Sequence, residues 1–152
     1  MATNMERFDL LTGAVFAELY ESFPEPVLLD PYNYLKQIAP EDQDIDTQRE
    51  LRSGAVEFFG YTIDWLAQTG YLTHSTPIRR EFSIYEKCVL TAKGLEVLKA
   101  LPDSITGKTL GSQLQEAAKA GLIDSMKSLT GKALGMGASM SYAAAASWMA
   151  GS

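Results

Sequence analysis

The chain has 152 residues, 46% of them hydrophobic, so it can bury a core, and its length suits one globular domain with an appendage. Its single cysteine, Cys88, excludes an intrachain disulfide and a thiolate metal cluster, and we expect a buried, unreactive thiol. The first residues, MATNMERFD, contain neither a basic segment nor an apolar run. We therefore expect no secretory signal and a cytoplasmic protein.

The net charge of −6 is unevenly distributed along the chain. Residues 1–102 contain nine Lys and Arg against sixteen Asp and Glu, a net charge of −7. Residues 103–152 contain four against three, a net charge of +1. The acidic character of the first part opposes nonspecific attraction to nucleic-acid phosphates.

The first third of the chain predicts two helices with a short strand between them. Thr3 and Glu6 form a capping-box pattern before a helix that ends at Pro24. Its apolar positions at helical spacing are Phe8, Leu11, Val15, Leu19 and Phe23. The apolar run Val27–Leu29 predicts a strand, and Asp30 with Pro31 then favours the start of a short helix that stops before Pro40.

A long helix is predicted next, over residues 48–69. Thr47 and Glu50 form a second capping-box pattern, and Gly70 supplies the left-handed residue that ends a helix. The expected core face is Leu51, Ala55, Phe58, Phe59, Thr62 and Leu66.

Two β-rich segments, residues 71–76 and 85–91, predict a hairpin whose turn carries Arg79 and Arg80. Thr91 then caps a further helix with Leu95, Leu98 and Leu101 on one face. Together, the segments WLAQTGYL and VLTAKGLEVL resemble the recognition helix, wing and closing helix of a winged-helix domain. The resemblance covers residues 1–102 and extends to small bacterial proteins in which a Gly- and Ala-rich helix follows such a domain.

The resemblance implies a mainly α fold with a small β-hairpin wing, that is, a winged helix-turn-helix followed by a C-terminal helical extension. The expected organisation is a winged-helix domain at 1–102, a linker at 103–109 and a helical assembly segment at 110–152. Winged helices bind DNA, RNA or other proteins, so the fold alone does not assign a function.

In a winged helix, the start of the recognition helix enters the DNA major groove while the wing contacts the backbone or the minor groove. The residues expected at these positions are Gln48, Arg49, Arg52, Ser53, Arg79 and Arg80. Arginine and glutamine suit base recognition. However, carboxylates surround them in the sequence, at Glu41, Asp42, Asp44, Asp46, Glu57 and Asp64. The same surface also suits a protein partner, because Phe82 beside two arginines is typical of interface hot spots.

The C-terminal segment predicts an amphipathic helix followed by an uncharged one. The first has helical spacing at Leu110, Leu114, Ala118, Leu122, Met126 and Leu129. Small residues then recur at every fourth position, namely Gly131, Gly135, Ser139, Ala143, Ser147 and Gly151. Such a stripe lets helices approach closely, in a soluble bundle or in a membrane, and residues 133–152 are long enough to span a bilayer.

No catalytic constellation is evident in the sequence. His74 is the single histidine and has no obvious nucleophile partner, so we expect a surface residue. Asp42, Asp44 and Asp46 have the spacing of a calcium loop, but Thr47 stands where the turn glycine belongs. Carboxylates before a helix are better explained by the helix dipole. We therefore expect no enzyme, no metal and no cofactor.

Three functions remain open. The first is a non-enzymatic interaction or regulatory module that self-assembles, or binds a protein partner, through its C-terminal helix. The second is a DNA-binding regulator dimerised by that helix. The third is a membrane-active effector whose residues 133–152 insert into the bilayer.

Overall fold

The computed structural model describes residues 2–41, 43–75, 84–101 and 107–150, and for residues 141–150 it describes the backbone alone. Over these residues the chain is mainly helical, with seven α-helices and one small antiparallel sheet. The elements are α1 (Asn4–Ser22), β1 (Val27–Leu29), α2 (Leu35–Ile38), α3 (Ile45–Ser53), α4 (Ala55–Gln68), β2 (Leu72–Thr73), β3 (Tyr85–Leu90), α5 (Ala92–Lys99), α6 (Leu110–Ala120) and α7 (Ile123–Ala150). A 3-10 turn, Pro31–Tyr34, leads into α2.

Local capping signals set the ends of several elements where the sequence predicts them. The Thr3 side chain accepts a hydrogen bond from the Glu6 amide at 3.1 Å and begins α1. Thr91 likewise accepts from the Gly94 amide at 3.1 Å and begins α5. Gly70, with φ of 89°, follows the end of α4. These predictions are confirmed. The sequence could predict them because each depends on a single local hydrogen bond or backbone conformation.

The sheet has the strand order β1-β3-β2, with both pairs antiparallel. Val27 is paired with Cys88, and Leu72 with Leu90. The prediction of a strand at Val27–Leu29 is confirmed. β2 is shorter than the predicted segment 71–76, and Leu101 does not belong to a buried face: α5 ends at Lys99, and the Leu101 side chain is 55% exposed.

The predicted long helix is wrong in two respects. It consists of two helices, α3 and α4, separated by Gly54. Its start lies earlier than Gln48, because Asp44 is the N-cap: its carboxylate accepts from the Thr47 amide at 2.8 Å and from the Thr47 hydroxyl at 2.9 Å. Asp44 and Thr47 are both residue types that favour the N-cap position, and Asp44, which comes earlier in the chain, occupies it.

The predicted amphipathic helix after residue 109 is also two helices, α6 and α7. Gly121 adopts a left-handed conformation with φ of 67°, and the Leu122 amide donates to the Ala117 carbonyl at 2.9 Å, which closes α6 in a Schellman motif. Leu122 is consequently 52% exposed rather than part of the apolar face. Residues 102–106, which include most of the expected linker, lie outside the described residues.

α1 is the centre of the packing: it contacts α6 and α7 most extensively, and also α2 and α4. One hydrophobic core includes residues from both halves of the chain. Its largest fully buried members are Phe16, Phe59, Leu11, Leu19, Leu29, Ile38, Ile63, Leu66, Leu72, Leu98, Leu110 and Leu114. The C-terminal helices α6 and α7 thus share the core of the sheet-containing part.

Candidate interaction surface

The four residues predicted to enter a DNA groove at the start of a recognition helix all lie on α3 instead. Gln48 donates through Nε2 to the carbonyl oxygens of Pro40 at 3.3 Å and Gln43 at 3.1 Å, so its side chain holds the preceding loop. The Ser53 hydroxyl donates to the Glu50 carbonyl at 2.7 Å. Both side chains therefore make local structural contacts.

Arg49 and Arg52 are the other two predicted groove-facing residues, and both are exposed. α3 has no buried residue. Arg79, Arg80 and Phe82, predicted on the wing, lie outside the described residues. Contacts between the predicted wing residues and the arginines of α3 therefore lie outside the described residues.

The outward face of α4 is aromatic and acidic. Its sequence, AVEFFGYTIDWLAQ, contains two carboxylates and no Lys or Arg. Glu57, Tyr61, Asp64 and Gln68 are exposed and follow one another at helical spacing, so they form one stripe along the helix. We call Glu57, Tyr61 and Asp64 the acidic stripe.

An exposed apolar cluster lies beside the acidic stripe, where the first turns of α1 meet α4. We call it the aromatic patch, and it consists of Met5, Phe8, Phe58, Tyr61 and Trp65. It lines a shallow groove of about 330 Å³. Met5 is 65% exposed, Tyr61 75% and Trp65 41%. Large apolar side chains clustered at this exposure are typical of a binding surface.

Ring contacts fix the orientation of the patch. The Phe8 and Trp65 rings pack edge to face, with centroids 5.4 Å apart. Trp65 also stacks near the buried Tyr71, with centroids 6.3 Å apart. These contacts restrict the Trp65 side chain although much of it is exposed.

Arg7 supports the patch from below. Its side chain is buried, Nε donates to the Ile38 carbonyl at 2.5 Å, and the guanidinium carbon lies 4.0 Å from the centroid of the Phe58 ring. Burial lowers the pKa of Arg7. The hydrogen bond and the cation–π contact offset the cost of burying this charge and tie α1 to α2 and α4.

Asp64 connects the acidic stripe to the sheet. The buried Tyr85 hydroxyl on β3 donates to Asp64 Oδ1 at 2.9 Å, with the Gly60 carbonyl oxygen 3.3 Å away. Burial, together with this hydrogen bond to a carboxylate, raises the pKa of Tyr85. The phenol therefore stays protonated and holds one oxygen of the Asp64 carboxylate in place.

The small-residue stripe of the C-terminal segment faces away from the core as far as the side chains are described. α7 packs inward through Met126, Leu129, Thr130, Ala133 and Gly137. By contrast, Gly131, Gly135 and Ser139 are exposed. A Cβ atom at Gly131 or Gly135 would meet nothing within 4 Å, so packing within the chain does not require glycine there. Ala143 and Ser147 continue along the α7 backbone, and Gly151 lies outside the described residues.

Cys88 and His74, the residues best suited to chemistry by type, make contacts within the fold. Cys88 is buried on the central strand, as predicted, and burial raises the pKa of its thiol to about 12. His74 is half-buried, with Nδ1 2.6 Å from the Ser75 carbonyl oxygen and its ring edge-on to Tyr85. Among the described residues, no group of three His, Cys, Asp or Glu side chains is placed to hold a metal ion.

The hydropathy of the helices bears on the membrane hypothesis. Within the part of the chain that the structure describes, no helix combines the length and the apolar character needed to cross a bilayer.

The sequence pattern predicts Phe8 and Phe58 as core residues, and Met5, Tyr61 and Trp65 are not among the predicted binding residues. The signal was available, because Tyr61 and Trp65 fall off the buried face of the predicted helix. Comparison of the chain with protein-family models, with characterised proteins and with solved structures gives no match. Its function must therefore be inferred from the chemistry of its own surface.

Proposed function

We propose that this chain is a non-enzymatic interaction module with a winged-helix arrangement, in which α4 takes the place of the recognition helix and contacts a protein partner. The arrangement is supported by the order of α1, β1, α2, α3, α4, β2 and β3 and by the strand order β1-β3-β2. The observation that carries the function is the outward face of α4, which has aromatic and carboxylate side chains and no basic residue.

Charge decides between DNA and protein at this face. A helix in the major groove lies close to phosphates on both sides, so Glu57 and Asp64 would repel them. Aromatic side chains with a polar rim are, however, the usual composition of protein interfaces. The face of α4 therefore suits a protein better than nucleic acid.

A photo-crosslinking amino acid at position 61 tests this proposal in cells that make the protein. We expect adducts of increased mass that nuclease treatment leaves unchanged. The matched control is position 32, since Tyr32 is an exposed aromatic residue, 52% exposed, on the 3-10 turn before α2. Nuclease-sensitive adducts at position 61, or equal protein adducts at both positions, would overturn the proposal.

DNA binding is the alternative that Arg49 and Arg52 favour, since both are exposed on α3. Selection from a random DNA library at low salt measures it directly. We expect no enriched sequence. An enriched site whose affinity falls in Arg52→Ala, by the about 1–3 kcal/mol of a lost guanine contact, would replace the protein-binding function with a regulator.

Self-association through α7 is a second candidate function, supported by the outward position of Gly131, Gly135 and Ser139. Helices that meet along small residues approach closely, so a large side chain there separates them. Gly135→Leu is expected to reduce an oligomer mass measured by light scattering in buffer without detergent. Lys132→Leu, at a neighbouring exposed position, is the control and is expected to change the mass less.

Two outcomes would count against this assembly. A chain that is monomeric in buffer before any substitution removes the soluble assembly. If that monomer also floats with liposomes, the uncharged residues 133–152 insert into a membrane instead.

A further inference from the structure

We infer that the aromatic patch and the acidic stripe together bind an amphipathic α-helix of a partner protein, whose apolar side chains are flanked by Lys or Arg. This rests on the proposed function, because it names the class of partner for the same face of α4. The inference follows from the apolar lining of the groove, from the position of the carboxylates and from the charge of the whole chain.

The groove between α1 and α4 has a mostly apolar lining that suits the apolar face of a helix. Among the described residues, only Asn4 and Thr62 line it besides the aromatic patch, and Met5 and Tyr61 are its most exposed side chains. An amphipathic helix places apolar residues into such a groove at helical spacing while its polar face stays in water. Met5 adapts to the exact side chains that enter, because a methionine side chain is unbranched and flexible.

The carboxylates determine which charges the partner carries. Glu57 and Asp64 are seven residues apart on one helix, with Tyr61 between them. Seven residues make two helical turns, a rise of about 10.5 Å. A partner helix alongside α4 therefore meets both carboxylates when its own basic residues are also seven positions apart. Arg7 does not compete for them, because its guanidinium is buried against Phe58.

The charge of the chain argues against a second copy as the occupant. The protein has a net charge of −6, and residues 1–102 have −7, so two copies approaching through this acidic surface repel each other. A basic partner is instead attracted over a distance of about 10 Å at ordinary salt, and its association rate falls as salt increases.

Tryptophan fluorescence measures this binding on the intact chain. Trp65 and Trp148 are its two tryptophans, so in Trp148→Phe the emission comes from the patch alone. The probe is a synthetic helical peptide of about fourteen residues, four turns, with Leu at helical spacing and two Lys residues seven positions apart. The matched peptide keeps every Leu and replaces both Lys by Glu.

We expect a saturable change in Trp65 emission with the Lys peptide and none with the Glu peptide. Tyr61→Ala is expected to weaken binding by about tenfold or more, as for the loss of a central aromatic anchor. Tyr32→Ala, on the 3-10 turn, leaves the affinity unchanged. Glu57→Lys leaves one ammonium and one carboxylate, that of Asp64, on the stripe, so it is expected to abolish the preference for the Lys peptide, which mere loss of a contact does not do.

Circular dichroism and urea unfolding of each variant confirm that it is folded. Equal binding of both peptides, failure of both to bind, or a Glu57→Lys variant that keeps the preference for Lys would overturn the basic helix as partner. These results leave the proposed function intact if crosslinking at position 61 still captures protein. If position 61 captures no protein, the proposed function fails together with the inference.

Discussion

α3 and α4 are consecutive helices separated only by Gly54, and they differ in how far their side chains are buried in the core. α3 has no buried residue, and its first turn depends on the Asp44 cap. α4 buries Ala55, Phe59, Gly60, Thr62, Ile63 and Leu66. Arg49 and Arg52, two of the arginines expected to read DNA, lie on the loosely packed helix, whereas Tyr61 and Trp65 lie on the firmly packed one.

This difference indicates which surface is suited to recognition. A helix with few buried contacts opens locally at low free-energy cost, so side chains on α3 lose more freedom when they bind. Side chains on α4 stand on a helix anchored in the core, and Trp65 is further held by Phe8 and Tyr71. Preorganised aromatic anchors lose less entropy on binding, which favours α4 as the binding helix.

The largest expected effect is on the free energy of unfolding, which should respond differently to substitutions on the buried and the exposed face of α4. Phe59 is fully buried, with its ring 5.8 Å from that of Tyr34 and 5.9 Å from that of Tyr85 between centroids. Phe59→Ala is expected to lower the free energy of unfolding by about 3–5 kcal/mol. Tyr61→Ala, two residues along, should change it by no more than about 0.5 kcal/mol. Urea unfolding followed by circular dichroism checks both, and a large loss in Tyr61→Ala would make Tyr61 a structural residue instead.

Elements that depend on local signals could be predicted from the sequence. The Thr3 and Thr91 caps, the short strand at Val27–Leu29 and the left-handed Gly70 each follow from a few neighbouring residues. The mainly helical fold with a small sheet also follows, because helical and alternating patterns occupy separate segments of the chain.

The two helix breaks could not be read from periodicity. Apolar spacing continues across Gly121 because α6 and α7 pack against the same core, and it continues across Gly54 although α3 buries no residue. The aromatic patch is harder still to predict from the sequence. Periodicity identifies which side of α4 is buried, but the groove beside Trp65 also needs Met5 and Phe8, which lie on α1. That contact depends on how two distant helices pack, and a single sequence does not specify it.

A smaller effect tests whether the acidic stripe is tied to the sheet. Tyr85→Phe removes the hydroxyl that donates to Asp64 and is expected to cost about 0.5–1.5 kcal/mol of unfolding free energy. Asp64→Ala removes the acceptor, so each single variant removes this hydrogen bond. The two single variants and the double variant form a thermodynamic cycle. Additive costs in that cycle would mean that the hydrogen bond does not couple α4 to β3.

Replacing Gly54, which separates α3 from α4, is expected to have a modest effect on stability. Gly54 has φ of −98° and ψ of 12°, a conformation open to alanine, and a Cβ there would meet nothing within 4 Å. Gly54→Ala is therefore expected to stabilise the protein by about 0.4–1 kcal/mol, because alanine reduces the freedom of the unfolded chain. Thermal unfolding measures this change. A destabilised variant would show that the break between α3 and α4 needs glycine.

The smallest expected effect on global stability is a local loss of α3 in acid. Hydrogen bonds from the Thr47 amide and hydroxyl hold the pKa of Asp44 below its ordinary value of 3.8. A lowered pKa in the folded state means that ionised Asp44 stabilises the helix above that ordinary value, and that the stabilisation disappears as the pH falls through the folded pKa. The protection factors of the Thr47 and Gln48 amides, which correct for the intrinsic exchange rate at each pH, should therefore fall below about pH 4 while those of α4 do not. Asp44→Asn keeps a good cap without a titrating group, so its α3 amides should lose this pH dependence. The same acid response in wild type and Asp44→Asn would mean that another group controls α3, and a simultaneous response of α4 would mean that the two helices open together.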